Sequence, residues 1–334
     1  MGSLLRDWFD NLRTKIDVAR IARQCGLSAD SLHDDLAEIS GERRRFISVR
    51  LGGVNNDGMF LHLCNSSGRA IALSKVQTLE LAQREALFMR WQEQQRLNLS
   101  GRCLNLLILG DSDRAVLCSE YLSSPATYSA RNIHQLHARF NLAAAQLHLL
   151  GTQSELTELV VADTPIKRIL RGLVAQPADA DIHQWCADFL QQRAQIIADE
   201  MVILQQLFST VAGRWQSISS PVSLVHGDFK RQNILCGDDG EYRAIDLQYY
   251  LPGQPCWDLA FYYSKYDAGF ARAWSDFNEC SEESPEWQLQ FVFFYIVASL
   301  INVKRKRRNW VFTTKVMPAV QEMESLLSKH KLDS

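Results

Sequence analysis

The apolar positions of the chain change their period twice. Over residues 3–40 they recur at helical spacing, with Leu4, Leu5, Trp8 and Phe9, then Ile16, Ala19 and Ile21. From 44 to 76 the stretch RRFISVRLGGVNNDGMFLHLCNSSGRAIALSKV breaks into short β-branched and aromatic runs, divided by the turn signals GGVNNDG and NSSG. Three antiparallel strands are predicted there. TLELAQREALFMRWQEQQRL, 78–97, predicts an amphipathic helix with Leu79, Ala82, Ala86, Leu87 and Met89 toward one side. LNLLILG and AVLCSEYL, the latter at 115–122, predict two further strands. Beyond Leu122 the pattern turns helical, with IHQLHARFNLAAAQLHLLG at 133–151 closing on Gly151 as a C-cap and one long helix over about 183–213. The polar stretch LVHGDFKRQNIL, 224–235, interrupts the helical part. A GDDG turn, a strand EYRAID, a Pro/Gly loop YYLPGQPCWD and two or three helices complete the chain.

The order predicts an α+β layout in three parts: a helical extension over 1–43, a small antiparallel sheet with a helix over 44–121, and a larger, mostly helical part over 122–334. With 334 residues, 46% apolar and 22% charged, the chain can bury a large core and is of ordinary globular composition. A net charge of −2 excludes a global pull toward nucleic acid or membrane. The eight cysteines are scattered with no CxxC pair or zinc spacing, which points to a reducing, cytoplasmic setting. Charges in the first apolar turn of MGSLLRDWFDNLRTK argue against a secretory signal. The longest apolar run, FVFFYIVASLINV at 291–303, is short of the ~20 residues that span a bilayer, so a buried helix is expected.

Chemistry concentrates in the polar interruption. Asp228 and Asn233 have the D-x-x-x-x-N spacing of a kinase catalytic loop, where the aspartate takes the acceptor hydroxyl's proton and the asparagine holds Mg²⁺. Asp246, 13 residues after Asn233, ends the next strand as a candidate second metal ligand. Lys75, on the last strand of the first sheet segment, is the candidate cation for nucleotide phosphates. Glu85 on the following helix is its expected partner, with Glu80 the alternative. The loop GGVNNDG, with Gly52 and Gly53, is placed to cover phosphates, although any hairpin can carry such a loop.

HGDFKRQNIL followed by AIDLQYYLPGQPCWDLA resembles the aminoglycoside phosphotransferase and choline kinase-like family, whose pattern is HGD-x4-N-I-L, I-D, then G-x-P-x-x-D-L-A. The matching residues are His226, Gly227, Asp228, Asn233, Ile234, Leu235, Ile245, Asp246, Gly253, Pro255, Asp258, Leu259 and Ala260. LAAAQLHLLG resembles the family's L-H-x-x-G helix end through His148 and Gly151. The resemblance spans most of 45–265. It implies a two-lobed protein-kinase-like fold, with ATP in the cleft and transfer of its γ-phosphate to a small-molecule hydroxyl: a sugar, an amino alcohol or an aminoglycoside-like compound. It further implies that the backbone of Ser119, Glu120, Tyr121 and Leu122 meets the adenine, that His226 braces the loop, and that Asp258 supports it from a helix start. This chain departs from the family at Lys230, where histidine is frequent; a lysine there suits neutralisation of the γ-phosphate. It departs again at Ser123 and Ser124, where glycine often follows the hinge. Residues 122–220 and those after 265 match no particular subfamily.

Each residue alone has a plainer reading: Asp228, Asn233 and Asp246 as turn formers, Lys75 and Glu85 as solvent-facing charges. The set in its spacing outweighs these. His134 and His137, at i, i+3 on a polar helix, read as a solvated face rather than a metal pair. Cys118 reads as a packing residue. VKRKRRNW, 303–310, reads as a solvated helix end, though it suits an anionic acceptor; DFNECSEESPEW, 276–287, suits a cationic one, so the two leave the acceptor open. An atypical protein kinase is the first rival, favoured by Lys230 and opposed by the eleven residues between Asp246 and Asp258, too few for a long activation loop. A non-catalytic nucleotide-binding protein on the same scaffold is the second.

Overall fold

A computed structural model describes residues 2–40, 44–49, 57–64, 66–110, 112–143, 179–219, 223–265, 268–280 and 284–329. The chain begins with helices α1 (Gly2–Gln24) and α2 (Ala29–Ser40), then strands β1 (Arg44–Ser48), β2 (Gly58–Cys64) and β3 (Ala70–Thr78), helix α3 (Leu79–Gln94), and strands β4 (Cys103–Ile108) and β5 (Arg114–Glu120). Helices α4 (Ala130–Leu142), α5 (Asp179–Arg193), α6 (Met201–Gly213) and α7 (Trp215–Ile218) follow. Four short strands come next: β6 (Ser223–Val225), β7 (Ile234–Cys236), β8 (Tyr242–Ala244) and β9 (Leu251–Gly253). Helices α8 (Cys256–Ser264), α9 (Gly269–Cys280), α10 (Pro285–Ile301), α11 (Arg308–Val311) and α12 (Met317–Lys329) end the chain. This is the expected α+β architecture, an N-terminal antiparallel sheet and a mostly helical C-terminal part. No helix among the described residues is long and apolar enough to cross a membrane.

The chain divides into two compact units, Met1–Ser124 with Leu235–Gln248, and Pro125–Ile234 with Tyr249–Ser334. In the first, the five-stranded sheet has the order β1-β2-β3-β5-β4 with every neighbour antiparallel. Side chains alternate across a strand, so Val76 and Lys75 of β3 point to opposite faces. Val76 joins a core built by Val18, Ile21 and Ala22 of α1 and Leu32 and Leu36 of α2 against Phe46, Phe60 and Val116. Lys75 faces Glu85 of α3. Because both faces are covered, β3 is buried from Ser74 through Gln77 instead of alternating.

The expected face of α3 needs correction: Leu87 is exposed, and the buried side runs through Leu81, Ala82, Glu85, Phe88, Met89 and Gln92. Glu85 and Gln92 are polar, so an apolar count missed the side they occupy. Gln92 earns its place by accepting from the Leu99 amide at 2.9 Å.

In the second unit, α10 is the central helix. Leu289 through Leu300 are all buried, and its N-cap Ser284 accepts from Trp287 N–H. Phe291 stacks on Phe277 at 3.9 Å between ring centroids, and Phe294 meets Trp257 of α8 edge-on at 5.7 Å. The expected single helix over 183–213 is two helices separated by turns. Arg308 donates to the Ile196 carbonyl and pairs with Asp199 and Glu200 there, a partnership more than a hundred residues apart that local periodicity cannot show. The expected Pro/Gly loop contains a strand: Leu251 pairs with Val225, and Gly253 with Ser223. The histidines of α4 are not solvated. His134 and His137 are buried, bonded to Tyr263 Oη at 3.0 Å and to the Pro255 carbonyl at 2.8 Å, and burial drives them down to about 3 and about 4, so both are neutral. The helix packs against α8 and α9, which gives the two imidazoles their partners.

Phe291→Ala removes a ring that is fully buried beneath α8 and α9. We predict destabilisation by about 3–5 kcal/mol, read as a lower urea midpoint; an unchanged midpoint would refute the central role given to α10.

Candidate active site

The first unit places three charges together. Lys75 Nζ lies 3.3 Å from Glu85 Oε2 and also pairs with Asp246 Oδ1. Lys75 and Glu85 are buried; the Asp246 side chain is 28% exposed, so it is the member of the trio that can reach a ligand. Burial alone would pull the Lys75 ammonium down, but Glu85 and Asp246 outweigh it and hold it above its ordinary value. Lysine therefore stays charged here at neutral pH. Glu80 sits half-buried in the first turn of α3, and it is Glu85, one turn further on, that faces Lys75. Asp246 has φ of 59°, in the left-handed region that costs a non-glycine residue energy, and aspartate is among the residues that tolerate it best.

The segment after β5 has a definite backbone. Glu120 N–H donates to Arg102 O at 2.9 Å and Tyr121 N–H to Ile71 O at 3.2 Å. Those two amides are thus committed within the first unit. Ser119 pairs with Leu73 in the sheet, and Leu122 is buried. Ser123 exchanges two backbone bonds with Cys236, at 3.0 and 2.8 Å, so the position where a glycine is frequent is an extended bridge to β7. Reading by motif missed Arg243. It is buried, joins Glu120 to Asp239, and ties the β7–β8 hairpin to the segment after β5. Only its alternation within EYRAID could have pointed to it. Gly52 and Gly53, like His148 and Gly151, lie outside the described residues.

The second unit holds the polar loop that follows β6. Asp258, in the first turn of α8, accepts from His226 N–H at 2.7 Å on one carboxylate oxygen and from Gly227 N–H at 3.0 Å on the other. His226 is fully buried, and its Nδ1 accepts from Asp228 N–H at 3.2 Å, which places the ring proton on Nε2. Gly227 has φ of 83°, and a Cβ there would fall 2.6 Å from the Tyr249 carbonyl, so only glycine fits. Phe229, also fully buried, anchors the loop among His226, Phe140 and Tyr262.

That anchoring brings Asp228, Lys230 and Asn233 together, with Asn233 buried and the other two partly exposed. Lys230 Nζ and Asn233 Nδ2 both donate to Asp228 Oδ2, the latter at 3.0 Å, and Asn233 Nδ2 also reaches the Asp228 carbonyl at 3.0 Å. One oxygen of Asp228 is fixed and Oδ1 is left for another partner. The same bonds commit the amide nitrogen of Asn233 and leave its Oδ1 as the acceptor atom. Burial pushes the Asp258 carboxyl up to about 7, against the two amide bonds that favour its charged form.

Among the described residues, no group of three or more His, Cys, Asp or Glu side chains is placed to hold a metal. A family model described as the phosphotransferase enzyme family matches residues 77–289. Its match starts after Lys75, so that lysine rests on its geometry and local pattern. No sequence among the curated proteins matches the chain. Among solved structures, a putative fructosamine-3-kinase from Thermobifida fusca YX-ER1 is similar at 15% identity and a TM-score of 0.51, covering 89% of this chain and 99% of that one. A putative fructosamine-3-kinase from Haemophilus somnus 129PT has 11% identity and a TM-score of 0.49, with 86% and 96% covered. An ethanolamine kinase of Plasmodium vivax has 14% and 0.44, with 94% and 88% covered.

Asp258→Ala leaves two buried backbone amides without acceptors, at about 1–3 kcal/mol each. We predict a loss of about 2–5 kcal/mol in urea unfolding; a variant as stable as the parent would show that Asp258 does not hold the loop.

Proposed function

Because the chain belongs to the phosphotransferase enzyme family, we propose that it transfers the γ-phosphate of ATP, with Mg²⁺, to a hydroxyl of a small molecule. The observation that carries this reading is the Asp228 carboxylate, with one oxygen held by Lys230 and Asn233 and the other left to accept a proton. An acceptor O–H donates to Asp228 as its oxygen forms the new O–P bond. The bond from the γ-phosphorus to its bridging oxygen breaks, and ADP leaves. Lys75, set by Glu85, neutralises nucleotide phosphate charge, and Lys230 meets the γ-phosphate. Charged groups already fixed before reaction need little reorganisation during it, which is where most of the rate gain in such transfers arises.

The residues present suit magnesium. The ion takes hard oxygen ligands, keeps several waters and is commonly held by one or two protein oxygens together with phosphates. Asn233 Oδ1 and the Asp246 carboxylate are such oxygens, and Lys75 orients the latter. Magnesium supplies charge neutralisation on the phosphates when bound. A cytoplasmic setting is supported by the eight cysteines, all free thiols.

Asp228→Asn should lower transfer by about 10²–10⁴-fold while calorimetric binding of ATP with Mg²⁺ persists; retained activity would overturn the proton-acceptor role. Asp246→Asn should instead weaken ATP binding in the presence of Mg²⁺ and leave metal-free binding nearly as it was. Equal binding by parent and variant with Mg²⁺ would remove Asp246 from the metal site.

A further inference from the structure

A cavity of about 410 Å³ opens in the second unit where α8 ends. That size is within the range of small-ligand sites. Four cations line it: Lys265, Lys304, Arg307 and Lys315. Among the described residues, no aspartate or glutamate does. Trp310 adds an aromatic wall, with Lys315 Nζ 5.1 Å from its ring centroid. We infer that this cavity is the acceptor site and that the acceptor is an anionic polyhydroxy compound, a sugar phosphate or sugar acid.

Three observations carry the inference, which rests on the phosphotransferase reading above. Lys265 follows α8, while Lys304, Arg307 and Lys315 lie in the continuous stretch 304–315, through the turn at 305–307 and the π-helical turn Phe312–Val316, so folding brings Lys265 to a local run of cations. π-Helical turns are rare and often found at functional sites. Two of the cations are held in place. Lys315 is buried and donates to the Ser264 carbonyl at 2.6 Å, while Lys265 donates to Asn302 Oδ1 and lies 4.5 Å from the centroid of Phe261. Like charges gathered on one concavity repel, and an anion is the ligand that relieves the repulsion.

The second observation is electrical. Lys265 keeps solvent contact, yet partial desolvation by its surroundings brings its ammonium down to about 8; the negative charge of Asp228 opposes this, and Lys230 and Lys315 add to it. The cavity wall therefore lies within electrostatic reach of Asp228, the proposed proton acceptor. The third is the scaffold. Asp258, which holds the loop, and Ser264, which lines the cavity, are six residues apart on α8, about 9 Å along a helix. One rigid helix thus spaces cavity from loop. A cationic acceptor such as an amino alcohol finds no counter-charge among these lining residues. The basic run VKRKRRNW therefore contributes Lys304, Arg307 and Trp310 to a site, and is not simply a solvated helix end.

The test is a charge-matched acceptor panel assayed by ADP release with ATP and Mg²⁺: glucose 6-phosphate and glucuronate, glucose, and glucosamine. Parent protein and the double variant Lys304→Gln/Arg307→Gln are compared, both changes being at exposed positions. Calorimetry on glucose 6-phosphate and on ATP with Mg²⁺ runs in parallel. The anionic members should have the highest kcat/KM, and the variant should raise their KM about tenfold or more without moving the KM for ATP. Preference for glucose or glucosamine, or an anion KM indifferent to the variant, would overturn the inference. If no member turns over, calorimetry decides: glucose 6-phosphate binding that the variant loses supports the inference, and absence of binding overturns it. Failure of ATP to bind in the presence of Mg²⁺ sinks the phosphotransferase reading instead.

Discussion

One buried carboxylate sets the geometry of the polar loop. Asp258 takes the two amides of His226 and Gly227 on its two oxygens, and each later placement in the loop depends on that pair. With His226 fixed, its Nδ1 orients the Asp228 amide; with Gly227 fixed at positive φ, the chain turns beneath the Tyr249 carbonyl where no side chain fits. The carboxylate is itself held by a helix packed through aromatic contacts, Trp257 against Phe294 and Tyr262 against Phe229. Packing in the second unit thereby becomes side-chain position at Asp228. The desolvation that raises Asp258 is the cost of placing a carboxyl there, and two short amide bonds offset it.

The first unit solves a similar problem with ion pairs. A lysine and a glutamate without water are costly separately and tolerable only together. Lys75 and Glu85 meet this by facing each other across strand and helix, with Asp246 adding a second carboxylate. Two carboxyl groups around one ammonium keep the lysine charged, while burial and the neighbouring Asp246 raise the Glu85 carboxyl above its ordinary value. Asp246 occupies a left-handed conformation at the same point. Strain of this kind persists where the surroundings over-determine it, and here the salt bridge does so.

The fold class was legible because period and turn signals are local. The five strands of the sheet, α3 and the buried apolar helix all announce themselves within ten or twenty residues. On α3, Glu85 was legible as the partner of Lys75, whereas the full buried face was not, since Gln92 is polar and an apolar count passes over it. The break between α5 and α6 and the burial of His134 and His137 escaped for the opposite reason: Arg308, Tyr263 and Pro255 are their partners, each from far along the chain. Within the loop, spacing brought Asp228 and Asn233 into view together, whereas the bond from Lys230 to Asp228, and the ion pairs of Arg243 on β8, appear only in the folded chain. The cationic cavity was only partly legible: the basic run at 304–308 stands out in the sequence, whereas folding alone brings Ser264 and Lys265 to it.

The central claim is that phosphate passes from ATP to a small molecule. The most direct measurement incubates the protein with Mg²⁺ and ATP labelled with ¹⁸O in its γ-phosphate, together with a protein-free extract of polar metabolites, and follows the label by mass spectrometry, with the Asp228→Asn variant as control. The expected product is a small-molecule phosphate ester that carries the label and is missing from the control. Label found only in protein, or only in inorganic phosphate at the same rate in both samples, would contradict it.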